Sequence, residues 1–162
     1  MNIKQKTDPR KEETSTEKTR PWWVKGIQFE CQGSGQCCVS HGEYGNVYLT
    51  PKDRARMAKV LKIPTRLFTQ QFCEKVGGIF RLKEDSKNGN CQFLKNKKCS
   101  IYEGRPTQCR TWPFWPEVMD AKTWNQEVAT FCPGVGKGRV YTEKEIRKQL
   151  NDQILSEKQY GK

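Results

Sequence analysis

The chain has no run of 18 or more apolar residues, few apolar residues altogether (34%), and no apolar stretch among its first twenty positions. The first absence excludes a membrane-spanning helix. The second leaves a thin supply of core for 162 residues, a length that suits one domain, so something besides apolar burial must help hold it or part of it stays unfolded. The third argues against a secretory signal and leads to the expectation of a cytoplasmic protein in a reducing compartment. Paired CxxC knuckles are also missing, which sets aside zinc-ribbon, RING and LIM patterns, and so is the short four-cysteine run of bacterial ferredoxins. What the chain does have is eight cysteines. In a reducing compartment thiols bind metal or do redox chemistry rather than form structural disulfides.

A formal net charge of +12 raises the question of nucleic acid. The excess is spread evenly, +3 in residues 1–25, +6 in 26–136 and +3 in 137–162, whereas a dedicated binding face concentrates it. The compact basic segment from Lys52 to Arg66 places Met57, Val60 and Leu61 at i, i+3 and i+4, which reads as an amphipathic helix with a solvated basic face.

Residues 1–20 have the composition of a disordered tail. A cysteine-rich metal-binding domain is expected over 21–140, and a polar C-terminal helix over 141–162. Strands are expected at residues 26–30 and 44–49. Thr50 then caps a helix with Pro51 at its first position, running to about Lys62. A second helix from Pro64 is expected to continue through Val76 and to end at Gly77-Gly78. Short strands at 79–82, 91–94 and 99–102 make a meander, and a helical turn starts near Pro106. Thr142 to Glu145 matches a capping box that opens the last helix, to about residue 158. The fold class is α+β: a small, irregular, metal-stabilised domain with a short antiparallel meander, two to three helices and a C-terminal helix.

Three cysteines crowd into Cys31-Gln-Gly-Ser-Gly-Gln-Cys37-Cys38, where two glycines let the backbone bend so that several sulfurs converge. Adjacent Cys37 and Cys38 are a poor disulfide pair because vicinal bridges strain the peptide, and a metal or cluster is the better use for them. Redox-active thiols are the next reading of this spacing, and inert buried cysteines the last.

These residues resemble a known family. The loop Cys31 to Cys38, the block Cys91-Gln-Phe-Leu with Cys99-Ser-Ile-Tyr-Glu-Gly-Arg-Pro-Thr-Gln-Cys109-Arg110 and Pro113, and the closing Cys132-Pro133-Gly134 look like the signatures of the YkgJ-like cysteine-cluster family, CxxCxxCC. That family is regarded as a zinc- or iron-chelating domain and includes the cysteine-rich part of flagellin lysine N-methylases. The resemblance implies a metal centre, an iron–sulfur cluster or zinc, with Cys31, Cys37, Cys38, Cys91, Cys99, Cys109 and Cys132 as ligands. Ser34 stands where the family has its second cysteine. That leaves seven sulfurs, a three-cysteine cluster with an open position, or a substitute ligand. His41, the one histidine, is the candidate substitute, against its reading as an exposed loop side chain. Cys73 has no family counterpart and reads as a small buried hydrophobe in the second helix. Arg105 and Arg110 flank Cys109, either donating toward cluster sulfurs or a bound anion, or pairing with Glu103 or Glu117 to fix the loop. Trp112, Phe114, Trp115 and Tyr102 read as core or cluster-shielding packing.

Three functions follow in order. The first is a metal-chelating protein in which metal replaces missing core, its binding free energy being also folding free energy. Zinc suits a purely structural role; irregular spacing, the glycine-rich loop and aromatic shielding favour iron–sulfur. The second is a redox or methyl-transfer enzyme acting on a protein substrate or partner, against which stands the lack of a nucleotide-type Gly-rich loop between strand and helix. The third is a basic nucleic-acid-binding module, which the even charge distribution opposes.

Overall fold

The computed structural model describes residues 20–39, 45–85 and 87–161. The expected tail, apart from Arg20, and His41 lie outside the described residues. Within them the fold is α+β, with six helices, some of a single turn, and three separate two-stranded antiparallel pairs.

Alternation sets the first pair. Strand β1 (Ile27–Phe29) buries Ile27 and Phe29 and exposes Gln28, as a period of two dictates. Its partner is β6 (Val135–Tyr141), with a bulge between Gln28 and Phe29. Strand β6 and the helical stretch before it were not expected from the sequence. That stretch runs through α4 (Ala121–Thr123), capped by Asp120, a π-helical segment Trp124–Val128, and α5 (Ala129–Phe131). Here Trp124 and Val128 are buried. They join Trp23, Ile27, Phe29, Phe114 and Ile146 in one core cluster.

A second core surrounds α1 (Pro51–Val60) and α2 (Thr65–Phe72), with Leu49, Met57, Phe68, Leu82, Phe93 and Ile101 buried. Helix α1 starts as expected: Thr50 and Asp53 form a reciprocal capping box with Pro51 in the first turn. The basic face is only partly solvated. Lys52, Lys59, Lys62 and Arg66 are exposed, but Arg54 lies over the Phe80 ring at 4.1 Å and Arg56 pairs with Asp53.

Helix α2 ends at Phe72, four residues earlier than expected. Cys73–Val76 is instead strand β2, hairpinned to β3 (Ile79–Leu82). Gly77 and Gly78, both at positive φ, form the two-residue turn rather than a helix stop. Cross-strand pairing of Glu74 with Arg81 at 2.7 Å closes the hairpin. Cys73 is buried as expected, but from a strand. The expected strand over 44–49 reduces to a Tyr48–Arg81 bridge and amide bonds of residues 47 and 49 with β3. The meander is likewise shorter, β4 (Leu94–Lys95) with β5 (Lys98–Cys99), turned through Asn96 and Lys97 at positive φ.

Helix α3 (Thr107–Thr111) follows Pro106, as expected, and carries Cys109. It is held from several sides. Thr107 donates its N–H and hydroxyl to Asp53 Oδ1, both at 2.9 Å, and the Gln108 side chain bonds Tyr48 N–H and the Asn46 carbonyl. The Thr111 hydroxyl meets Gln153 of α6 (Glu143–Glu157) at 2.9 Å. Helix α6 is polar on its outer face, yet Ile146 is fully buried in the first core.

Asp53 itself is fully buried. Burial alone would raise its pKa, but hydrogen bonds from Thr50 and Thr107 outweigh that and hold it below the usual carboxylate range. A folded pKa below the unfolded one, about 3.9, contributes stability above that pH, lost as pH falls through the lower value. Asp53→Asn is therefore expected to cost about 3 kcal/mol at pH 7 and to flatten the loss of stability on acidification below about pH 4. Urea denaturation of both proteins from pH 3 to 7 checks this; an unchanged midpoint and slope would contradict it.

Candidate metal centre

The loop after β1 is built for close approach. Gly33 and Gly35 both take positive φ, and a Cβ at Gly35 would lie 2.5 Å from the Lys97 carbonyl oxygen. Only glycine lets the loop press against the β4–β5 hairpin there. The 3-10 turn Gln36–Cys38 starts at Gly35 and presents Cys37 and Cys38 side by side, their sulfurs 4.0 Å apart. The Cys91 N–H donates to the Cys38 carbonyl at 2.8 Å, which ties this turn to the second cysteine block.

Cys38 is hydrogen-bonded to Cys37 and Cys91, and the charges of Cys37 and Cys91 reach Cys99 and Cys109. The Cys38 thiol bonds the sulfurs on both sides of it. This pulls Cys37 down to about 7, with help from the Arg105 charge, and pushes Cys38 far up. Cys91 also falls to about 7, through its hydrogen bond with the Cys38 sulfur and those from the N–H groups of Phe93 and Leu94. Burial raises Cys99 and Cys109, and the neighbouring sulfurs raise them further. A bound cation would lower Cys38, Cys99 and Cys109 as well, since a coordinated thiol is deprotonated outright.

Cys31 and Cys132 stand apart from that group. Together with Cys37 and Cys109 they line a cavity of about 370 Å³. The Tyr102 hydroxyl reaches Cys31, and burial raises the pKa of Tyr102. Cys132 ends the helical stretch, its N–H on the Val128 carbonyl, and packs against the first core. Gly134 sits so close to the Glu30 carbonyl that a Cβ would collide with it, which brings the Cys132 loop against the Cys31 loop. Ser34 lines the same cavity, its hydroxyl accepting from the Gln36 N–H at 3.4 Å. Cys73 lies elsewhere, in the second core, where burial pushes its thiol up to about 11.

The arginines do not pair with Glu103 or Glu117. Arg105 lies over the Tyr102 ring at 3.5 Å with Nε on the Tyr102 carbonyl, and its charge favours thiolate at Cys37, Cys99 and Cys109. Arg110 donates to the Thr107 hydroxyl at 3.2 Å. Of the aromatics, Phe114 is buried core, while Trp112 borders both the first core and the cavity.

The donor set fits a thiophilic metal. All eight cysteines are free, and two thiolates on one tetrahedral zinc would sit about 3.8 Å apart, close to the Cys37–Cys38 separation. No three cysteine, aspartate, glutamate or histidine side chains among the described residues are yet gathered at coordinating geometry. Arg105 stands beside the thiols as one of its two sequence readings had it, whereas the cavity shared by Cys31, Cys37, Cys109 and Cys132 was not a signal that spacing could supply.

Residues 30–133 match the model of the CxxCxxCC family, described as "Putative zinc- or iron-chelating domain". An uncharacterized protein of the archaeon Methanocaldococcus jannaschii is 34% identical over 129 residues, covering 75% of this chain and 66% of that protein. The chain thus spans just under two-thirds of that relative's length. No solved structure matches it. With the match extending from the Cys31 loop to Cys132 and over more than half of the sequence, the chain belongs to the CxxCxxCC family, whose described property is chelation of zinc or iron.

Proposed function

We propose that the chain holds an iron–sulfur cluster or zinc through cysteine thiolates, with Cys37, Cys38, Cys91, Cys99 and Cys109 forming the centre and Cys31 and Cys132 available to it across the cavity. What supports this reading is the Cys37–Cys38 sulfur pair at 4.0 Å, tied to the Cys91 segment by the Cys38–Cys91 backbone bond, with Cys99 and Cys109 within reach of the charges of Cys37 and Cys91. A positively charged guanidinium, Arg105, stands beside them and offsets thiolate charge. Iron–sulfur is the favoured occupant, because the sulfurs come from irregularly spaced segments and Trp112, Phe114 and Phe131 wall the adjoining space. Zinc is supported by the 4.0 Å separation of Cys37 and Cys38.

Anaerobic purification followed by metal and sulfide analysis decides between them. A brown protein with bound iron and acid-labile sulfide is expected; a colourless one with stoichiometric zinc would replace the cluster by zinc. Cys37→Ala and Cys38→Ala are expected to release the metal and lower the thermal midpoint, and full retention of metal in both would overturn the ligand assignment.

Alkylation maps the ligands independently. With metal bound, Cys37, Cys38, Cys91, Cys99 and Cys109 should resist iodoacetamide. After chelator treatment at pH 7.5, Cys37 should label roughly 100-fold or more faster than Cys73, whose thiol is buried and held protonated. Mass spectrometry of the labelled peptides gives the comparison, and equal rates at the two positions would contradict it.

A further inference from the structure

The cavity beside the thiols carries more than cysteines. Of its lining residues four are cysteines, whereas aromatic rings and arginines supply much of the rest. Its volume, about 370 Å³, falls in the range of small-molecule sites, which pair apolar walls with a few placed polar groups. Arg105 and Arg110 both face it, and neither forms a close salt bridge among the described residues, although the charges of Asp53 and Asp152 reach Arg110. Arg105 is fixed flat on Tyr102, so its charge is held in place before any ligand arrives. Arg139 also lines the cavity but is engaged by Glu145 at 2.7 Å, and Glu30 is the carboxylate on the wall. On the aromatic side, Trp112 stands edge-on to Phe131 with ring centroids 6.1 Å apart. The Trp112 indole N–H is shielded from solvent and makes no hydrogen bond.

We propose that this cavity binds a small organic anion, a carboxylate or phosphate on a planar apolar body, with Arg105 and Arg110 taking the anionic group and Trp112 and Phe131 the apolar part. Guanidinium forks match both oxyanions, and the rings accept a flat apolar surface. The proposal rests on the metal-chelation reading with Cys37, Cys38, Cys91, Cys99 and Cys109 as the ligands, since a metal drawn to Cys31 and Cys132 would fill the same cavity. It involves no bond-making step.

Isothermal titration of the protein as purified, with benzoate, phenyl phosphate and neutral benzamide, tests it, with bound metal measured in every sample. Saturable binding of at least one anion, and none of benzamide, is expected; the two anions distinguish a carboxylate site from a phosphate site. Arg110→Gln, at an exposed position whose side-chain hydrogen bond is to Thr107, should weaken anion binding about ten-fold with metal content unchanged; Arg105→Gln should weaken it by at least as much, with affinity compared per metal-loaded protein because Arg105 also offsets thiolate charge. Phe131→Ala should weaken benzoate or phenyl phosphate more than acetate or inorganic phosphate. No saturable heat from either anion, equal binding of benzamide, or unchanged affinity in both arginine variants overturns the proposal while metal stays bound. If both arginine variants lose metal and anion binding together, the arginines serve the thiolates alone and the proposal falls. Wild-type protein that holds no metal yet binds the anions would instead overturn the metal reading and leave this one standing.

Discussion

Asp53 carries its charge with no exposure to solvent, and five donors from Thr50, Arg56 and Thr107 converge on its two oxygens. Two of those residues belong to the start of α1, whereas Thr107 opens α3, 54 positions away. A buried carboxylate without such partners would be too costly to keep, so the five bonds are formed together. Their geometric result is that the turn bearing Arg105, Pro106 and Cys109 is fixed against α1, with the Arg56 guanidinium also reaching the Arg105 carbonyl at 3.2 Å. From there the rest of the cysteine-bearing half follows: Gln108 anchors residues 46–48, Thr111 meets α6, and Cys109 is left half-buried on the cavity wall.

The low apolar content makes sense in this arrangement. Two separate cores form, one on β1, β6 and the 121–131 helical stretch, the other on α1, α2 and the β2–β3 hairpin. Cys132 packs on the first and Cys91 and Cys99 on the second, so the thiols draw on both. Neighbouring thiolates repel one another, and this adds to the hydrogen bonds that raise Cys38 and to the burial that raises Cys109. A bound cation would relieve it, which links occupancy of the centre to the stability of both cores.

Local signals were legible where the chemistry was local. The capping residues Thr50 and Thr142 marked two helix starts, Pro106 a third, and the alternation at Ile27 to Phe29 a strand. Gly77-Gly78 was read as a helix stop because a helical continuation through Cys73 fits composition equally well; pairing with β3 decided for the hairpin. Strand β6, with Gly136 and Gly138 inside it, has no strand signature of its own and exists through its partner β1. No helix among the described residues is long and apolar enough to cross a membrane, in keeping with the absence of any long apolar run.

By itself the sequence determined the family, the loop that bends at Gly33 and Gly35, and seven candidate sulfurs, because motif spacing and glycine conformations are properties of short segments. Tertiary structure alone decided which sulfurs approach one another, that the Arg105 charge stands beside them, and that Cys31 and Cys132 share a cavity with Cys37 and Cys109. Those outcomes rest on contacts between residues tens of positions apart, such as Asp53 with Thr107 and Cys38 with Cys91, and only the folded chain sets those distances.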